Sequence, residues 1–395
     1  MRWILLLATL FLVAGLFAQG ADSLDFPQPQ FVNPIFDSFS RNYISTSAMG
    51  RGYTGIALPG GVDNVLINPA GYAPDRASLH LEMLIKPPVD VEFYEDIMAG
   101  TSITPEDRMT SPIPFGMAAG GGRLWGDLTF AGVYSLPKTL TLDDFAVEIN
   151  MGDNWVSRTP VFNLHQFTSN LAWHGKRLHA GLNLHGQLYY LGDVTFLRTF
   201  ERIRDTKAIL RPQLGIMYTG ERINAGLSFT PQQSAEWDLK YRVYDTKLPL
   251  NVVAGAAYKK GEARFTAELD FEQSSAISDD FSDRYTVRLG AETRVRKFTY
   301  RAGYIYHPEV WHGYYRLPDA ASDTTSIWWD IPQGGWVGKN TQHILSVGTS
   351  WHHSEGKINL AFLMDVAGNA PVAQINMSLD LYFSAFKKKD FLYFE

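Results

Sequence analysis

The chain has 395 residues, of which only 19% are charged while 13% are aromatic. Soluble proteins usually carry about 25% charged residues, so the surface is short of charge for a soluble protein of this size. The net charge is −6 at pH 7, and no Lys/Arg-rich stripe with interleaved aromatic residues suggests nucleic-acid binding. Cysteine is absent, which excludes a disulfide framework, a thiolate metal site and a cysteine nucleophile.

The first residues have the pattern of a secretory signal peptide. Arg2 gives a positive start, residues 4–17 form an apolar run, and small residues stand at 18 and 20. An N-terminal membrane anchor is the alternative, but the run is shorter than the roughly 20 residues that a membrane span needs. We therefore expect residues 1–20 to be a signal peptide that is cleaved near Gly20.

The stretch 47–73, SAMGRGYTGIALPGGVDNVLINPAGYA, has the period of neither a strand pair nor a helix. Its glycines, among them Gly50, Gly52 and Gly55, allow the backbone to turn and to approach other backbone closely. The stretch offers little apolar surface of its own. It therefore needs walls that another part of the chain supplies.

The triplet Asn68-Pro69-Ala70 lies near the end of this stretch. Proline fixes its own φ and biases Asn68 towards extended geometry, and the asparagine amide can bond nearby backbone. These residues alone also fit an ordinary surface turn. A larger role for them depends on the fold of the rest of the chain.

After residue 78, apolar and polar residues alternate, as they do in strands with one apolar face. Residues 263–272 are a clear example. Such runs are about ten residues long, whereas strands of soluble sheets are most often about five or six. A tilted transmembrane strand needs about 9–11 residues. In the example, Ala263, Phe265, Ala267, Leu269 and Phe271 share one face, and Arg264, Thr266, Glu268, Asp270 and Glu272 share the other.

Fourteen such runs are separated by alternating short turns and long loops, as in outer-membrane barrels. A weaker alternation at 235–244 is interpreted as a protruding extension. The predicted strands are 78–94, 114–124, 127–136, 160–174, 177–192, 207–219, 222–230, 248–259, 262–273, 283–294, 297–308, 340–352, 357–366 and 372–384.

Large aromatic residues mark the short turns, where a girdle at the membrane interface would lie. In lipid, strands satisfy their backbone groups only in a closed barrel. The sequence therefore predicts an all-β fold, a membrane β-barrel of fourteen antiparallel strands over 77–395, with an N-terminal hatch over 21–76 plugging the lumen. The aromatic residues at the turns are Trp125, Trp173, Tyr218, Tyr258 and Trp351.

A secreted barrel preceded by a glycine-rich stretch that ends in Asn68-Pro69-Ala70 resembles the FadL-type family of outer-membrane transporters for long-chain fatty acids and other hydrophobic compounds. The segment 247–258, KLPLNVVAGAAY, resembles the family's entry into strand eight. The resemblance implies a hatch built on Gly50, Gly52, Gly55 and the triplet. It also implies passive uptake of hydrophobic or amphipathic molecules through a side opening, in the outer membrane of a Gram-negative type envelope.

Phe31, Phe36 and Phe39 are candidates to line an apolar pocket for the ligand, with a simple anchoring role for the hatch as the alternative. The expected partners are outer-membrane lipid and lipopolysaccharide, a hydrophobic small molecule, and the barrel-assembly machinery. The chain also resembles a PorV-like subgroup of type IX secretion, so a structural role or a role as a secretion shuttle or attachment protein stays open as the alternative.

Chemistry at a catalytic or metal site is not expected. His179 and His185 fall on the polar parity of their strand, and the histidines do not have the ligand spacing of a zinc motif. Many Ser, His and Asp residues are present, but no local signature selects a catalytic set. We therefore expect a non-enzyme without a cofactor or a metal.

Overall fold

The computed structural model describes residues 40–74, 76–87, 89–90, 108–110, 113–143, 149–151, 154–196, 201–239, 242–277, 281–310, 315–318, 328–331, 341–367 and 372–383.

Fourteen long strands form one antiparallel sheet. They are β1 (Ser78–Ile85), β2 (Met117–Trp125), β3 (Leu128–Asp143), β4 (Asn154–His174), β5 (Leu178–Phe196), β6 (Glu201–Thr219), β7 (Ile223–Thr230), β8 (Asn251–Lys260), β9 (Ala263–Glu272), β10 (Arg284–Val295), β11 (Phe298–His307), β12 (Gln342–His353), β13 (Gly356–Asp365) and β14 (Ala373–Tyr382).

The sheet closes on itself. Each strand pairs with the next one in the chain, and β14 pairs with β1 from Ser78 opposite Tyr382 to Ile85 opposite Ile375. Closure removes the unpaired edges that an open sheet would present to lipid. The predicted fourteen-strand antiparallel membrane barrel is confirmed.

Short elements accompany the barrel. The helix α1 (Thr46–Met49) and the 3-10 turns Val62–Leu66 and Pro69–Gly71 precede it, and the 3-10 turn Ser274–Ala276 follows β9. The predicted extension at 235–244 is a separate two-stranded hairpin, Gln233–Leu239 with Arg242–Leu248. Other short strands are Val89–Asp90, Arg108–Thr110, Ile149–Met151, Tyr315–Pro318 and Trp328–Ile331.

Strand lengths differ from prediction at two places. β1 ends at Ile85 rather than at 94, because prolines follow at 87 and 88 and proline cannot donate to a ladder. β3 to β6 are longer than predicted, because neighbouring strands continue to pair with one another; β4 and β5, for example, pair as far as Val156 opposite Phe196.

The two faces of the wall have opposite character. In β9, Phe265 and Leu269 are 50% and 47% exposed, whereas Thr266 and Glu268 are 5% and 4% exposed. The apolar parity therefore faces outward and the polar parity faces the lumen, as predicted. The five aromatic residues at the short turns are all more than 40% exposed. Among the described residues, no helix is long and apolar enough to cross a membrane.

The alternation of turns and loops predicts the orientation of the barrel. Lys176 lies in the exposed short turn between β4 and β5, and Ser282 lies exposed in the longer connection between β9 and β10. In outer-membrane barrels the short turns face the periplasm. In a chain without native cysteine, Ser282→Cys on intact cells should react with an impermeant maleimide, and Lys176→Cys should react only after lysis. Labelling of Lys176→Cys alone would invert this orientation.

Candidate functional site: the hatch and its seat in the lumen

The described part of the predicted hatch, residues 40–74, lies inside the barrel. Near one end, the Tyr43 carbonyl accepts hydrogen bonds from Gln374 Nε2 at 2.8 Å and Asn376 Nδ2 at 2.7 Å, in the half of β14 nearest the long loops. At the other end, the hatch leads into β1, whose first residue, Ser78, lies opposite Gly121 near the short turn after β2. The hatch therefore runs along the lumen from the long-loop half to the short-turn end.

Glycines on both partners allow the hatch backbone to touch the wall. A Cβ on Gly50 would lie 3.0 Å from Cα of Gly348 in β12. Gly52 has φ 69°, a left-handed conformation that favours glycine, and a Cβ there would lie 2.5 Å from the carbonyl of Leu289. A Cβ on Gly303 would overlap the Gly52 backbone. The wall and the hatch meet without side chains between them at these points.

The triplet Asn68-Pro69-Ala70 holds the part of the hatch nearest the short turns. Asn68 Oδ1 accepts the Ala70 N–H at 3.0 Å, and Asn68 Nδ2 donates to the carbonyl of Ile56 at 2.6 Å. The same amide donates to the carbonyl of Ile216 in β6 at 3.3 Å. Asn68 is therefore placed to hold the turn, a second hatch segment and the wall at once.

Asn64 is a residue that sequence reasoning missed. Its side chain lies where a Cβ on Gly55, Gly60 or Gly71 would collide with it, and its Nδ2 donates to the Leu58 carbonyl at 2.8 Å. The glycines of the motif therefore make room for this amide as well as for the wall. In the sequence, the one sign of this packing is that several glycines stand near Asn64 in the motif.

Two wall glutamates bind hatch backbone N–H groups. Glu82 of β1 accepts from the N–H groups of Ser45 at 3.0 Å and Thr46 at 2.6 Å, at the start of α1. Glu268 of β9, almost across the ring, accepts from Gly55 at 2.5 Å and Ile56 at 2.7 Å through a single carboxylate oxygen. Both carboxylates are buried. Charge-assisted bonds of this kind are roughly twice as strong as neutral ones.

A buried cluster of charged residues joins the hatch to β1, β13 and β14. His80 Nδ1 lies 2.8 Å from Asp380 Oδ1, and Lys357 Nζ lies 3.2 Å from Asp380 Oδ2. Asp63 of the hatch accepts from the hydroxyl of Ser47 at 2.6 Å. Burial alone would raise the pKa of Asp63, but the positive charges of Lys357 and His80 hold it below its usual value.

Asp63, His80 and Asp380 are also the described residues whose ligand atoms lie close enough to hold a metal, within 4.8 Å of one another. Hydrogen bonds and the Lys357 ion pair already occupy these atoms. His185, considered in the sequence analysis, bonds instead to Thr168 at 2.7 Å and Gln213 at 3.1 Å. The arrangement works as a network that neutralises buried charge.

Apolar contacts complete the seat on the long-loop side. Tyr43 and Tyr53 stack edge to face with their centroids 5.2 Å apart. A buried apolar cluster forms there between the hatch and β11 to β13. Its members are Tyr43, Met49, Ile305, Ile344, Ala361 and Leu363, with Tyr53 packed against them.

The wall is irregular where Asn42 meets β3. The register between β3 and β4 shifts between Ser135 and Lys138, so that Leu136 and Pro137 have no partner on β4. Asn42 of the hatch takes that place: its backbone N–H donates to the Pro137 carbonyl at 2.8 Å, and its Nδ2 donates to the Leu136 carbonyl at 2.7 Å. Here the hatch replaces a strand as the hydrogen-bond partner of the wall.

The predicted site residues therefore divide into two groups. Gly50, Gly52, Gly55 and the triplet at 68–70 lie together in the buried part of the hatch. The candidate ligand residues at 31, 36 and 39 lie outside the described residues.

Comparisons with solved structures place the fold. The chain is similar to a Pseudomonas aeruginosa FadL homologue, with TM-score 0.61 and 10% identity, over 86% of this chain and 98% of that one. It is also similar to the Pseudomonas putida toluene transporter TodX, with TM-score 0.59 and 12% identity, over 87% and 99% of the two chains. The CymD monoaromatic hydrocarbon channel gives TM-score 0.54 and 10% identity over 86% and 97%.

No protein-family model and no curated protein match the chain. At this identity, the solved structures establish that the chain has the fold of FadL-type outer-membrane proteins. These proteins are named as transporters and channels rather than as enzymes, and a barrel of this fold fits an outer membrane.

The Glu268 contacts predict that its charge holds the hatch in place. Glu268→Gln keeps the shape of the side chain but replaces two charge-assisted bonds with neutral ones, a loss of about 1 kcal/mol or more. The time that the hatch spends displaced should rise about fivefold or more. Single-channel recording in planar bilayers would show this as more frequent opening bursts. Glu221→Gln, in an exposed turn, is the control, and equal bursts in both variants would remove the role of Glu268.

Asn68→Ala should loosen the part of the hatch nearest the short turns. The substitution removes the bonds to Ile56, Ile216 and Ala70 and leaves buried backbone groups unpaired. We expect intermittent leakage of ions in planar bilayers with the heat-modifiable mobility of the barrel unchanged. A variant as silent as the intact protein would show that the triplet does not secure the hatch.

Proposed function

We propose that the protein mediates the passive uptake of hydrophobic or amphipathic small molecules, of fatty-acid or aromatic-hydrocarbon type, across an outer membrane. The observation that carries the proposal is a lumen filled by a hatch whose backbone lies directly against the glycines of the wall. The fold shared with a toluene transporter and a monoaromatic hydrocarbon channel supports it.

A filled lumen argues against a general diffusion pore. The hatch contacts strands on all sides of the ring, from Gly348 in β12 and Gly290 in β10 to Gly226 in β7 and Gly181 in β5. Hydrophilic solutes need a continuous wet path, and the buried hatch residues stand in that path. Hydrophobic molecules have another route, because they can leave an occluded lumen through the wall into lipid.

The apolar cluster and the bulge of β3 suit such a route. The buried cluster around Tyr43 and Met49 provides apolar packing on the long-loop side, which a displaced hatch would uncover. At the bulge of Leu136 and Pro137, Asn42 rather than a neighbouring strand donates the hydrogen bonds that the wall carbonyls accept. The side opening would then form at this bulge when Asn42 moves. We also retain residues 31, 36 and 39 as the proposed lining of the ligand pocket.

Several accompanying roles belong to the same proposal. Export through a signal peptide cleaved near Gly20, insertion by the barrel-assembly machinery, and lipid and lipopolysaccharide around the outward apolar face fit an outer-membrane barrel. The domain limits follow the sequence analysis: signal peptide 1–20, hatch 21–76 and barrel 77–395.

The test is transport into proteoliposomes whose outer leaflet contains lipopolysaccharide, a barrier that slows hydrocarbon entry. The intact protein should accelerate entry of labelled toluene but not of sucrose. Deletion of Pro137 alone leaves Leu136 as the one residue between Ser135 and Lys138, matching His165 between Gln166 and Leu164, so it regularises the wall without changing the pairing on either side; it should abolish the acceleration. Deletion of 21–66 should admit sucrose and give large, steady conductance.

Two results would contradict the proposal. Equal acceleration of sucrose and toluene by the intact protein would indicate a general pore. No acceleration of toluene, together with purification in a stoichiometric complex with secretion proteins, would favour the structural or secretion role.

A further inference from the structure

A cavity of about 310 Å³ lies at the short-turn end of the lumen. Hatch residues 58–61 border it on one side, and the ends of β8 to β13 border it on the other. Gly261 and Glu262, in the turn between β8 and β9, place it at the mouth rather than in the middle of the barrel. Its volume is at the lower end of the range of small-molecule sites, about 300–1,000 Å³.

The residues that line the cavity carry an excess of positive charge. Six are lysine or arginine and three are acidic, apart from one histidine. Lys357 is paired with Asp380 behind the lining, and the other five basic residues still outnumber the three acidic ones. The basic residues are Arg51, Lys259, Arg264, Arg294, Arg301 and Lys357, and the acidic ones are Asp63, Glu262 and Glu292.

Four of these residues form a row across neighbouring strands. Lys259 of β8 lies opposite Arg264 of β9, Arg264 lies opposite Glu292 of β10, and Glu292 lies opposite Arg301 of β11. Like charges directly opposite each other in a sheet are destabilising. Within the row, Arg264 has Glu292 on its other side, but Lys259 faces another cation rather than a carboxylate on β9.

A single carboxylate serves three guanidinium groups at this place. Glu292 lies 2.9 Å from Arg51, 3.1 Å from Arg264 and 3.2 Å from Arg301. One negative charge cannot neutralise three positive charges. The positive potential that remains faces the cavity, which these three arginines line.

Arg51 brings a buried positive charge from the hatch to the cavity. Its side chain is only 7% exposed, and its Nη atoms donate to Glu292 and to the Thr54 carbonyl. Its buried Nε has no hydrogen-bond partner among the described residues. Because this Nε has almost no accessible surface, a solute in the cavity meets the positive charge of Arg51 but not this N–H.

We propose that this cavity is an oxyanion-binding site, which holds the carboxylate or phosphate group of a small solute at the short-turn mouth of the lumen. Guanidinium groups bind both oxyanions through parallel hydrogen bonds. Leu58 and Pro59 on the hatch side offer a short apolar edge, so a small organic carboxylate fits as well as inorganic phosphate. The site goes beyond the uptake function and does not depend on it.

Titration calorimetry of the detergent-solubilised full chain tests the site with three probes: benzoate, inorganic phosphate and the neutral analogue benzyl alcohol. At least one anion should bind, and its affinity should fall as the salt concentration rises. Tighter binding of benzoate would identify an organic acid as the source, and tighter binding of phosphate would identify the inorganic ion. Benzyl alcohol binding as tightly as benzoate, or no anion binding, would overturn the proposal.

The variant Lys259→Gln with Arg264→Gln locates the site. Arg264 is 42% exposed and Glu292 keeps two other arginines, so the barrel should remain intact, as its heat-modifiable mobility would show. Anion affinity should fall about fivefold or more. Arg294→Gln is a second variant on the cavity. The matched control, Lys176→Gln with Arg177→Gln, removes the same charge from another exposed turn at this end. An equal loss in the control, or no loss in either cavity variant, would overturn the assignment.

Discussion

The structure depends on the need to satisfy irregular backbone inside a closed barrel. A strand wall pairs its own N–H and C=O groups, but residues 40–74 of the hatch form only short helical turns that leave many of their groups to be paired elsewhere. Buried backbone groups without partners cost free energy. Wall side chains supply the partners: Glu82 and Glu268 accept from hatch N–H groups, and Asn170 and Asn183 donate to the carbonyls of Pro69 and Val65.

The same need explains why the lumen is lined by glycine as well as by polar residues. A polar side chain reaches the hatch where there is a gap, and glycine stands where the hatch backbone lies directly on the wall. The hatch is consequently held by many separate contacts on different strands, and the loss of one contact frees only its own neighbourhood. At the irregular part of β3, two neighbouring residues hold the hatch: Asn42 bonds Leu136 and Pro137, and Arg41 forms a backbone bridge with Lys138.

The sequence predicted the barrel because alternation is a local signal. Strand ends, the outward parity and the aromatic residues at short turns depend on residues that are near one another in the chain. The hatch contacts are different: Gln374 bonds Tyr43 from more than three hundred positions away. Alternation places Glu82 and Glu268 on the lumen face, but it does not say which lumen residues meet the hatch.

Asn64 shows the same limit within the motif itself. The proline after Asn68 distinguishes that residue in the sequence, whereas Asn64 resembles an ordinary turn residue. Its importance comes from glycines that approach it only after the hatch has folded back on itself, with the Gly60 N–H donating to the Gly71 carbonyl at 2.9 Å.

The two ends of the lumen differ in chemistry because the hatch divides them. Tyr43 and Met49 pack in a buried apolar cluster on the long-loop side, whereas Arg51 turns towards the short-turn side and adds its charge to the basic row of β8, β9 and β11. Met49 and Arg51 are close neighbours in the chain, so a short segment separates apolar packing on one side of the barrier from a cationic cavity on the other. The direction in which neighbouring hatch side chains point therefore sets the chemistry of each side.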